Sequence, residues 1–315
     1  MTSTTTTRPA PGPRRSRPHR RGRLLLPVLA VVVALAGVGG WAYWHGSIGT
    51  LPLRPHCTAT ALGNSTELSP EQAGNAAIIA AVAVQRRLPP RAATIGIATA
   101  MQESKLTNLE GGDRDSLGLF QQRPSQGWGT PEQVRDPVYA SNAFYDVLVK
   151  IEGYQDLPIT TAAQTVQRSA FPSAYAEHEP EARILASALT GQSPGGLSCV
   201  LERVGDAPAQ GAGADALTPR AHAVAAAAKR EAGRAGKAVA GSPGSVRFSL
   251  GTSQGAPAWA LAQWAVARAD ALGIVRVETG GKVWDRSRPD TTWTAAPGAA
   301  GTGTVVVRTA GGAGS

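Results

Sequence analysis

One uncharged run constrains the fold of this chain more than any other segment. Residues 92–102 read A-A-T-I-G-I-A-T-A-M-Q, and the run ends at Glu103. Small and apolar residues at helical spacing predict a helix that is packed inside a domain. A carboxyl group on the last turns of such a helix loses solvent and faces the negative end of the helix dipole. Both effects oppose its ionisation.

We therefore expect Glu103 to hold a proton near neutral pH and to deliver it to a leaving oxygen as a general acid. The alternative is a helix-terminal glutamate that is solvated, or that forms an exposed ion pair with Arg114 or Arg123. The position of Glu103 alone leaves both interpretations open.

The positive charge of the chain is concentrated at its N-terminus. The formal net charge is +9, but seven of the 31 basic residues lie in residues 1–23, where there is no acidic residue. The 24 basic residues that follow nearly balance the 22 acidic ones. The rest of the chain therefore lacks the excess of positive charge that binds a polyanion, and we predict no nucleic-acid partner.

The first 44 residues have the pattern of a tail and a membrane span. Residues 1–23 are basic and rich in Pro and Thr, which predicts a disordered cytoplasmic tail. Residues 24–44 are uncharged and long enough to cross a bilayer, and the arginines before them place the N-terminus in the cytoplasm. The protein would then be a single-pass protein of the cell membrane with its remainder extracytoplasmic. Alternatively, Ala34-Leu35-Ala36 is a cleavage site, and the protein is secreted after removal of a signal peptide.

The chain has two cysteines, Cys57 and Cys199. In an oxidising compartment a disulfide between them is the natural interpretation, and two unpaired thiols are the alternative. The bridge would close a loop of about 140 residues, for which the chain-entropy model allows about 4 to 5 kcal/mol.

Composition divides the exported part into four segments. Residues 45–68 are predicted to be a juxtamembrane spacer, and residues 69–200 a catalytic domain. Residues 201–216 are rich in Gly, Ala and Pro and predict a linker. Residues 217–315 are predicted to form a separate domain of unknown role.

The two predicted domains differ in their local patterns. Ser69-Pro70, Thr130-Pro131 and Asp136-Pro137 are three helix starts, each with a capping side chain followed by proline. The first domain is therefore predicted to be mainly α-helical, behind the N-terminal transmembrane helix. In residues 217–315, helical and strand patterns alternate, which predicts a small α+β or α/β domain.

Two motifs carry a resemblance to a known superfamily. Glu103-Ser104 ends the predicted buried helix, and Ser116-Leu117-Gly118-Leu119-Phe120-Gln121 follows a short polar loop. Together they resemble the lysozyme superfamily, in particular goose-type lysozymes and soluble lytic transglycosylases. Gly112-Asp113-Arg114 looks especially goose-like. The segment also resembles a lysozyme-like domain of actinobacterial wall-associated proteins, and the resemblance covers about residues 69–190.

The resemblance implies a peptidoglycan-cleaving glycosidase, either a lytic transglycosylase or a muramidase. Its substrate would be the bond between N-acetylmuramic acid and N-acetylglucosamine, with peptidoglycan glycan strands as the partner. Glu103 would then be the catalytic acid, and Ser104 would support its carboxyl group or a nearby sugar. Gln121 would hydrogen-bond the saccharide, and Ser116 belongs to the same substrate-binding motif.

A second carboxylate decides the chemistry, because many glycosidases place a base or nucleophile opposite the acid. Asp113 is the candidate because of its Gly-Asp-Arg context, and Asp115 is the reserve. Alternatively, both belong to a solvated acidic loop that pairs with Arg114. In the transglycosylase route that the resemblance implies, the N-acetyl group of the substrate replaces the second carboxylate and a 1,6-anhydro ring forms. The sequence leaves the anhydro and hydrolytic products open.

The chain departs from the transglycosylase pattern where an Ala-Tyr-Asn-Ala-Gly segment is expected. Residues 165–170, T-V-Q-R-S-A, stand in its place, with Tyr175 just beyond. We assign the role of the missing Asn to Gln167 and include Tyr175 among the substrate-binding candidates. Trp128, between two glycines, either stacks on a sugar ring or closes a loop against the core.

No metal site or cofactor is predicted, because the five histidines are scattered without ligand spacing. The tryptophans of the second domain, including Trp259 and Trp264, either form a glycan-binding face or belong to its core. The competing functional class is a non-catalytic peptidoglycan-binding module. It would tether a wall-remodelling or conjugation assembly to the membrane.

Overall fold

A computed structural model describes residue 2 and residues 54–167, 172–204, 210–251, 255–288 and 292–311. The predicted membrane span, residues 24–44, lies outside these ranges, as does all of the predicted tail except residue 2. Within the described ranges, we find no helix that is both long and apolar enough to cross a membrane. The contacts divide the chain after Pro52, and Leu53–Ser315 form one compact unit.

The predicted fold class, a mainly α-helical domain followed by a small α+β domain, is wrong, because the part of the chain that the structure describes has mixed α and β structure with two antiparallel sheets. The first sheet has the strand order β2-β1-β3. It consists of β1 (His56–Ala61), β2 (Asn64–Leu68) and β3 (Leu197–Val200). Residues 56–68, which the sequence assigned to a spacer, therefore form a β-hairpin. Its inward residues are only Cys, Ala and Leu, so the alternation that predicts strands is weak.

We call residues 54–204 the first segment and residues 210–311 the second segment. The described residues of the first segment form six α-helices and two 3₁₀ turns. The helices are α1 (Pro70–Gln85), α2 (Pro90–Ser104), α3 (Pro131–Val134), α4 (Pro137–Leu148), α5 (Ile159–Gln167) and α6 (Glu179–Leu189), and the turns are Pro124–Gln126 and Pro172–His178. The predicted helix starts are confirmed. Ser69 and Thr130 each form a capping box, and the Asp136 side chain accepts from the Val138 amide.

Helix α2 is the buried helix that the uncharged run predicts, since most of its side chains are inaccessible. It packs against α1, α5 and α6. The close packing of α2 against α1 and α4 requires a glycine at position 96. A Cβ there would lie 2.8 Å from Tyr145 Oη and 3.0 Å from Ile79 Cγ2. The Tyr145 hydroxyl donates to the Ile79 carbonyl over 3.1 Å. Burial raises the pKa of Tyr145, so this hydroxyl stays a donor.

The second segment contains a six-stranded sheet of order β4-β5-β9-β6-β7-β8. Its strands are β4 (Lys237–Val239), β5 (Ser242–Ser249), β6 (Ile274–Thr279), β7 (Lys282–Asp285), β8 (Thr294–Ala295) and β9 (Thr304–Thr309). The accompanying helices are α7 (Pro219–Ala232), α8 (Ala256–Ala267) and α9 (Ala269–Leu272). Helix α7 is shorter than its alanine-rich sequence suggests, because Gly233 adopts a left-handed conformation and ends it.

Helix α8 joins the two segments into one core. Every residue from Ala258 to Ala267 is buried, so this part of the helix is enclosed on all sides, and Gln263 is its one polar side chain. It contacts α1 and α6 of the first segment as well as β6 and β9 of the second sheet. Trp264 is 1% exposed and Trp259 is 7% exposed, which makes both tryptophans core residues.

The predicted disulfide is confirmed: Cys57 and Cys199 are bonded and lie opposite each other in the β1–β3 register. The other edge of β3 is covered by side chains of the second segment. Gln263 Oε1 accepts from the Leu197 amide over 2.8 Å, and Trp293 Nε1 donates to the Leu197 carbonyl over 2.8 Å. Trp284 Nε1 donates to the Cys199 carbonyl over 3.3 Å. These bonds satisfy backbone groups that an edge strand otherwise leaves open.

Candidate functional site

Glu103 lies in the last turn of α2 and is half-buried. The hydroxyl of Tyr175, in the 3₁₀ turn before α6, donates to Glu103 Oε1 over 2.6 Å. Tyr175 is fully buried, so its ring cannot move away without opening the core. Tyr175, which is 72 positions away in the chain, therefore fixes one oxygen of the Glu103 carboxyl group.

Ser104 connects the end of α2 to the loop that carries the second motif. Its hydroxyl oxygen lies 3.0 Å from the Ala100 carbonyl oxygen in the preceding turn and 2.8 Å from the Leu119 carbonyl oxygen, so these two acceptors share its single proton. The side chain is buried. Ser104 therefore supports the loop beside Glu103 and not the carboxyl group itself.

The second motif forms a tight hairpin. Leu117 and Gln122 form an isolated antiparallel bridge, with amide-to-carbonyl distances of 3.0 and 3.1 Å. At Gly118, φ is +74° and a Cβ would lie 2.3 Å from the Val134 carbonyl oxygen. A side chain there would be excluded, so this glycine positions the hairpin against the start of the helical region that follows.

Gln121 is the last turn residue of this hairpin, next to the bridge residue Gln122, and its φ of +47° is unusual for a residue with a side chain. Its amide nitrogen Nε2 donates to the Gly118 carbonyl over 3.2 Å. The side chain lies over Gly112, where a Cβ would come within 1.7 Å of Gln121 Oε1. Gly112 is therefore needed for the observed position of Gln121.

Gln167, at the end of α5, reaches the same hairpin. Its Nε2 donates to the Phe120 carbonyl over 2.7 Å. The residue predicted to replace the Asn of the transglycosylase pattern thus lies beside the second motif, and it holds that motif through the backbone. With Ser104 it gives the hairpin two side-chain supports from two helices.

Asp115 is held in the loop by three hydrogen bonds. Its carboxylate accepts from Arg123 Nε over 2.9 Å, from the Ser125 amide over 2.7 Å and from the Ser125 hydroxyl over 3.0 Å. The Ser125 amide, then Arg123 and the Ser125 hydroxyl, hold the pKa of Asp115 well below its usual range. Asp115 is therefore an ionised structural anchor of the loop.

Asp113 has a different environment. Its side chain is 90% exposed and lies 3.9 Å from Arg114 Nε, which is itself mostly exposed. This is the geometry of a solvated ion pair. Ser116 is buried, and its amide donates to the Asp113 carbonyl over 3.1 Å. Trp128 is half-buried and packs against the core cluster.

One neighbour of the site escaped the sequence analysis. His178 Nε2 lies 3.0 Å from Gln102 Oε1, one residue before Glu103. The spacing of three residues between Tyr175 and His178 puts both on the same side of the 3₁₀ turn. The same spacing in the sequence could have identified His178 as a neighbour of Tyr175, but only if a 3₁₀ conformation had been predicted for this turn.

The described part of the chain contains no cluster of three or more His, Cys, Asp or Glu side chains that could hold a metal ion. The groups that the structure brings together at this site are one half-buried carboxyl group, a phenol and the amides and hydroxyls around them. Neither a protein-family model nor a curated protein matches this chain.

Proposed function

We propose that this protein is a peptidoglycan-cleaving glycosidase that acts on the bond between N-acetylmuramic acid and N-acetylglucosamine, with Glu103 as the general acid. The observation that carries the proposal is the environment of Glu103. The group is half-buried at the end of an apolar helix, and Tyr175 fixes its Oε1. The other carboxyl oxygen is then the one that carries the transferable proton.

The hairpin beside Glu103 supports the same function. Ser104 and Gln167 hold the Leu119 and Phe120 carbonyls, so the turn that carries Gln121 is supported at consecutive residues. A rigid loop next to the acid is what a saccharide needs for a defined orientation. The disulfide supports export to an oxidising compartment, which is where the wall polymer lies.

The surroundings of the two aspartates favour a route with a single protein carboxylate. Asp115 is occupied by Arg123 and Ser125, and Asp113 is exposed beside Arg114. In this route Glu103 protonates the glycosidic oxygen as the C1–O bond breaks, and the carbonyl oxygen of the substrate's N-acetyl group bonds to C1. The 6-hydroxyl of the muramyl residue then displaces that oxygen, and the Glu103 carboxylate takes up the hydroxyl proton. The product has a 1,6-anhydro end.

The test is to incubate the full-length protein with isolated peptidoglycan and to analyse the soluble products by mass spectrometry. Wild type should release muropeptides with anhydro ends, and Glu103→Gln should release none. Glu152→Gln removes the same charge from an exposed position after α4 and should keep wild-type activity. Products with reducing ends would show hydrolysis and contradict the single-carboxylate route. Binding to peptidoglycan without products from any variant would show that the protein is a binding module and not an enzyme.

A further inference from the structure

A cavity with a volume of about 350 Å³ lies at the start of α2. The polar side chains that line it are Arg91, Thr94, Gln155, Arg183, Ser187 and Gln192. Glu103 lies near the other end of the same helix. At 1.5 Å per residue, the 12 steps from Arg91 to Glu103 correspond to about 18 Å. The cavity is therefore separate from the proposed catalytic site.

The lining of this cavity is positively charged. Two guanidinium groups and several amides and hydroxyls line it, and the described lining residues include no carboxylate. Arg91 is already engaged: its Nη1 binds Glu179 over 2.6 Å and its Nη2 donates to the Leu157 carbonyl over 2.8 Å. Arg183 is exposed and makes no ion pair or hydrogen bond to any described residue. Its guanidinium is free to bind an anion.

A second, larger cavity of 630 Å³ meets the first at Arg183. It lies between the turn that joins β1 to β2 and the start of α6, and it extends to Ala176, the residue after Tyr175. The two carboxylates in its lining are both engaged, Glu179 with Arg91 and Glu181 with the Thr66 hydroxyl over 2.6 Å. Leu62 and Arg183 therefore line both cavities, and the larger one also includes the neighbour of Tyr175 in its lining.

We propose that the cavity at the start of α2 binds a carboxylate group of the peptidoglycan strand, with Arg183 as its direct ligand. This inference rests on the proposed function. The planar guanidinium matches a carboxylate in a two-bond geometry, and the surrounding amides and hydroxyls suit sugar or peptide groups. The volume is at the lower end for ligand pockets, so it fits one amino acid or one sugar unit. The site increases affinity for the wall without taking part in bond cleavage.

The test measures binding of the full-length Glu103→Gln protein to isolated peptidoglycan by co-sedimentation, so no cleavage interferes. Adding Arg183→Gln should weaken binding about 10- to 100-fold, as expected for the loss of a hydrogen bond between charged groups. Arg247→Gln removes the same charge from an exposed position on β5 and should leave binding unchanged. Amidation of the peptidoglycan carboxylates should lower the binding of the Glu103→Gln parent to the level of the Arg183 variant.

Two competitors identify the source of the carboxylate. Soluble stem peptides compete if the group belongs to the peptide, and peptide-free glycan strands compete if it belongs to the lactyl group of muramic acid. Equal binding of the parent and the Arg183 variant would overturn the proposal, as would an Arg183 effect that persists after amidation. If binding depends on Arg183 but wild type cleaves nothing, the glycosidase function is rejected and the carboxylate site is supported. If wild type cleaves and binding does not depend on Arg183, the carboxylate site is rejected and the glycosidase function is supported.

Discussion

The phenolic oxygen of Tyr175 lies 2.6 Å from Oε1 of Glu103. This hydrogen bond joins the end of α2 to the 3₁₀ turn that leads into α6. Glu103 is half-buried and Tyr175 is fully buried. Because Tyr175 is fully buried, it holds the carboxyl group in one orientation before substrate arrives. Proton transfer depends on that orientation.

Tyr175→Phe should therefore reduce activity with little loss of stability. The substitution removes only the hydroxyl group and keeps the buried ring. A hydrogen bond to a charged or reacting group contributes about 1.5 to 3 kcal/mol, so turnover should fall about 10- to 100-fold. Initial rates on isolated peptidoglycan and urea unfolding check the two effects. Full activity in the variant would show that this bond does not orient the acid.

Gln167→Ala should loosen the hairpin next to the acid. The Phe120 carbonyl would lose its side-chain donor at 2.7 Å, at a cost of about 1 to 3 kcal/mol where the group stays buried. Activity should fall together with stability. Gln155→Ala, at an exposed position, is the matched control in the unfolding measurement. An unchanged urea midpoint and unchanged rates would remove Gln167 from the site.

Asp115→Asn should destabilise the protein in a pH-dependent manner. The folded state holds the pKa of Asp115 well below its usual range, mainly through the Ser125 amide and Arg123. The stabilisation is therefore complete above the unfolded pKa of about 3.9 and is lost as the pH falls towards the folded value. Urea midpoints of wild type and variant should differ at pH 7, and the difference should begin to shrink as the pH falls below about 4.

Asp113→Asn is the control for that series. The Asp113 side chain is 90% exposed, so its replacement should change the midpoint little at either pH. A difference between wild type and Asp115→Asn that stays constant from pH 7 to pH 3 would contradict the assignment of Asp115 as an ionised anchor.

Gln263→Leu should unfold the protein at lower urea concentrations, although it alters the second segment and not the site. Gln263 Oε1 accepts from the Leu197 amide, and its Nε2 donates to the Ala188 carbonyl over 2.6 Å. Leucine would leave both buried groups without their partner, at about 1 to 3 kcal/mol each. The Glu103 region should lose its protection from hydrogen exchange in the same transition. Separate transitions for the two segments would contradict a shared core.

Local signals predicted the helices well because caps act over a few residues. Ser69, Thr130 and Asp136 each precede a proline, and each begins a helix in the structure. Strand pairing is not local. Strand β1 pairs with β3 across a separation of 142 residues at the disulfide, and its buried side chains are small. A pattern within a short stretch of sequence cannot contain both strands, so local patterns did not predict the first sheet.

In the site, too, local features were predictable and contacts between distant residues were not. Glu103 was predictable because an uncharged run ends at a carboxyl group. Its contact with Tyr175 spans 72 residues, so the spacing in the sequence could not reveal it. Neighbouring groups decide which aspartate is engaged: Asp115 accepts from Arg123 and Ser125, whereas the Asp113 side chain, two residues earlier, is 90% exposed beside Arg114.

Mass spectrometry of the products released from isolated peptidoglycan tests the central claim most directly. The full-length wild-type protein should release muropeptides cut between N-acetylmuramic acid and N-acetylglucosamine, and Glu103→Gln at equal concentration should release none. Equal product release by wild type and Glu103→Gln, or no release by either, would contradict the role of Glu103 as the general acid.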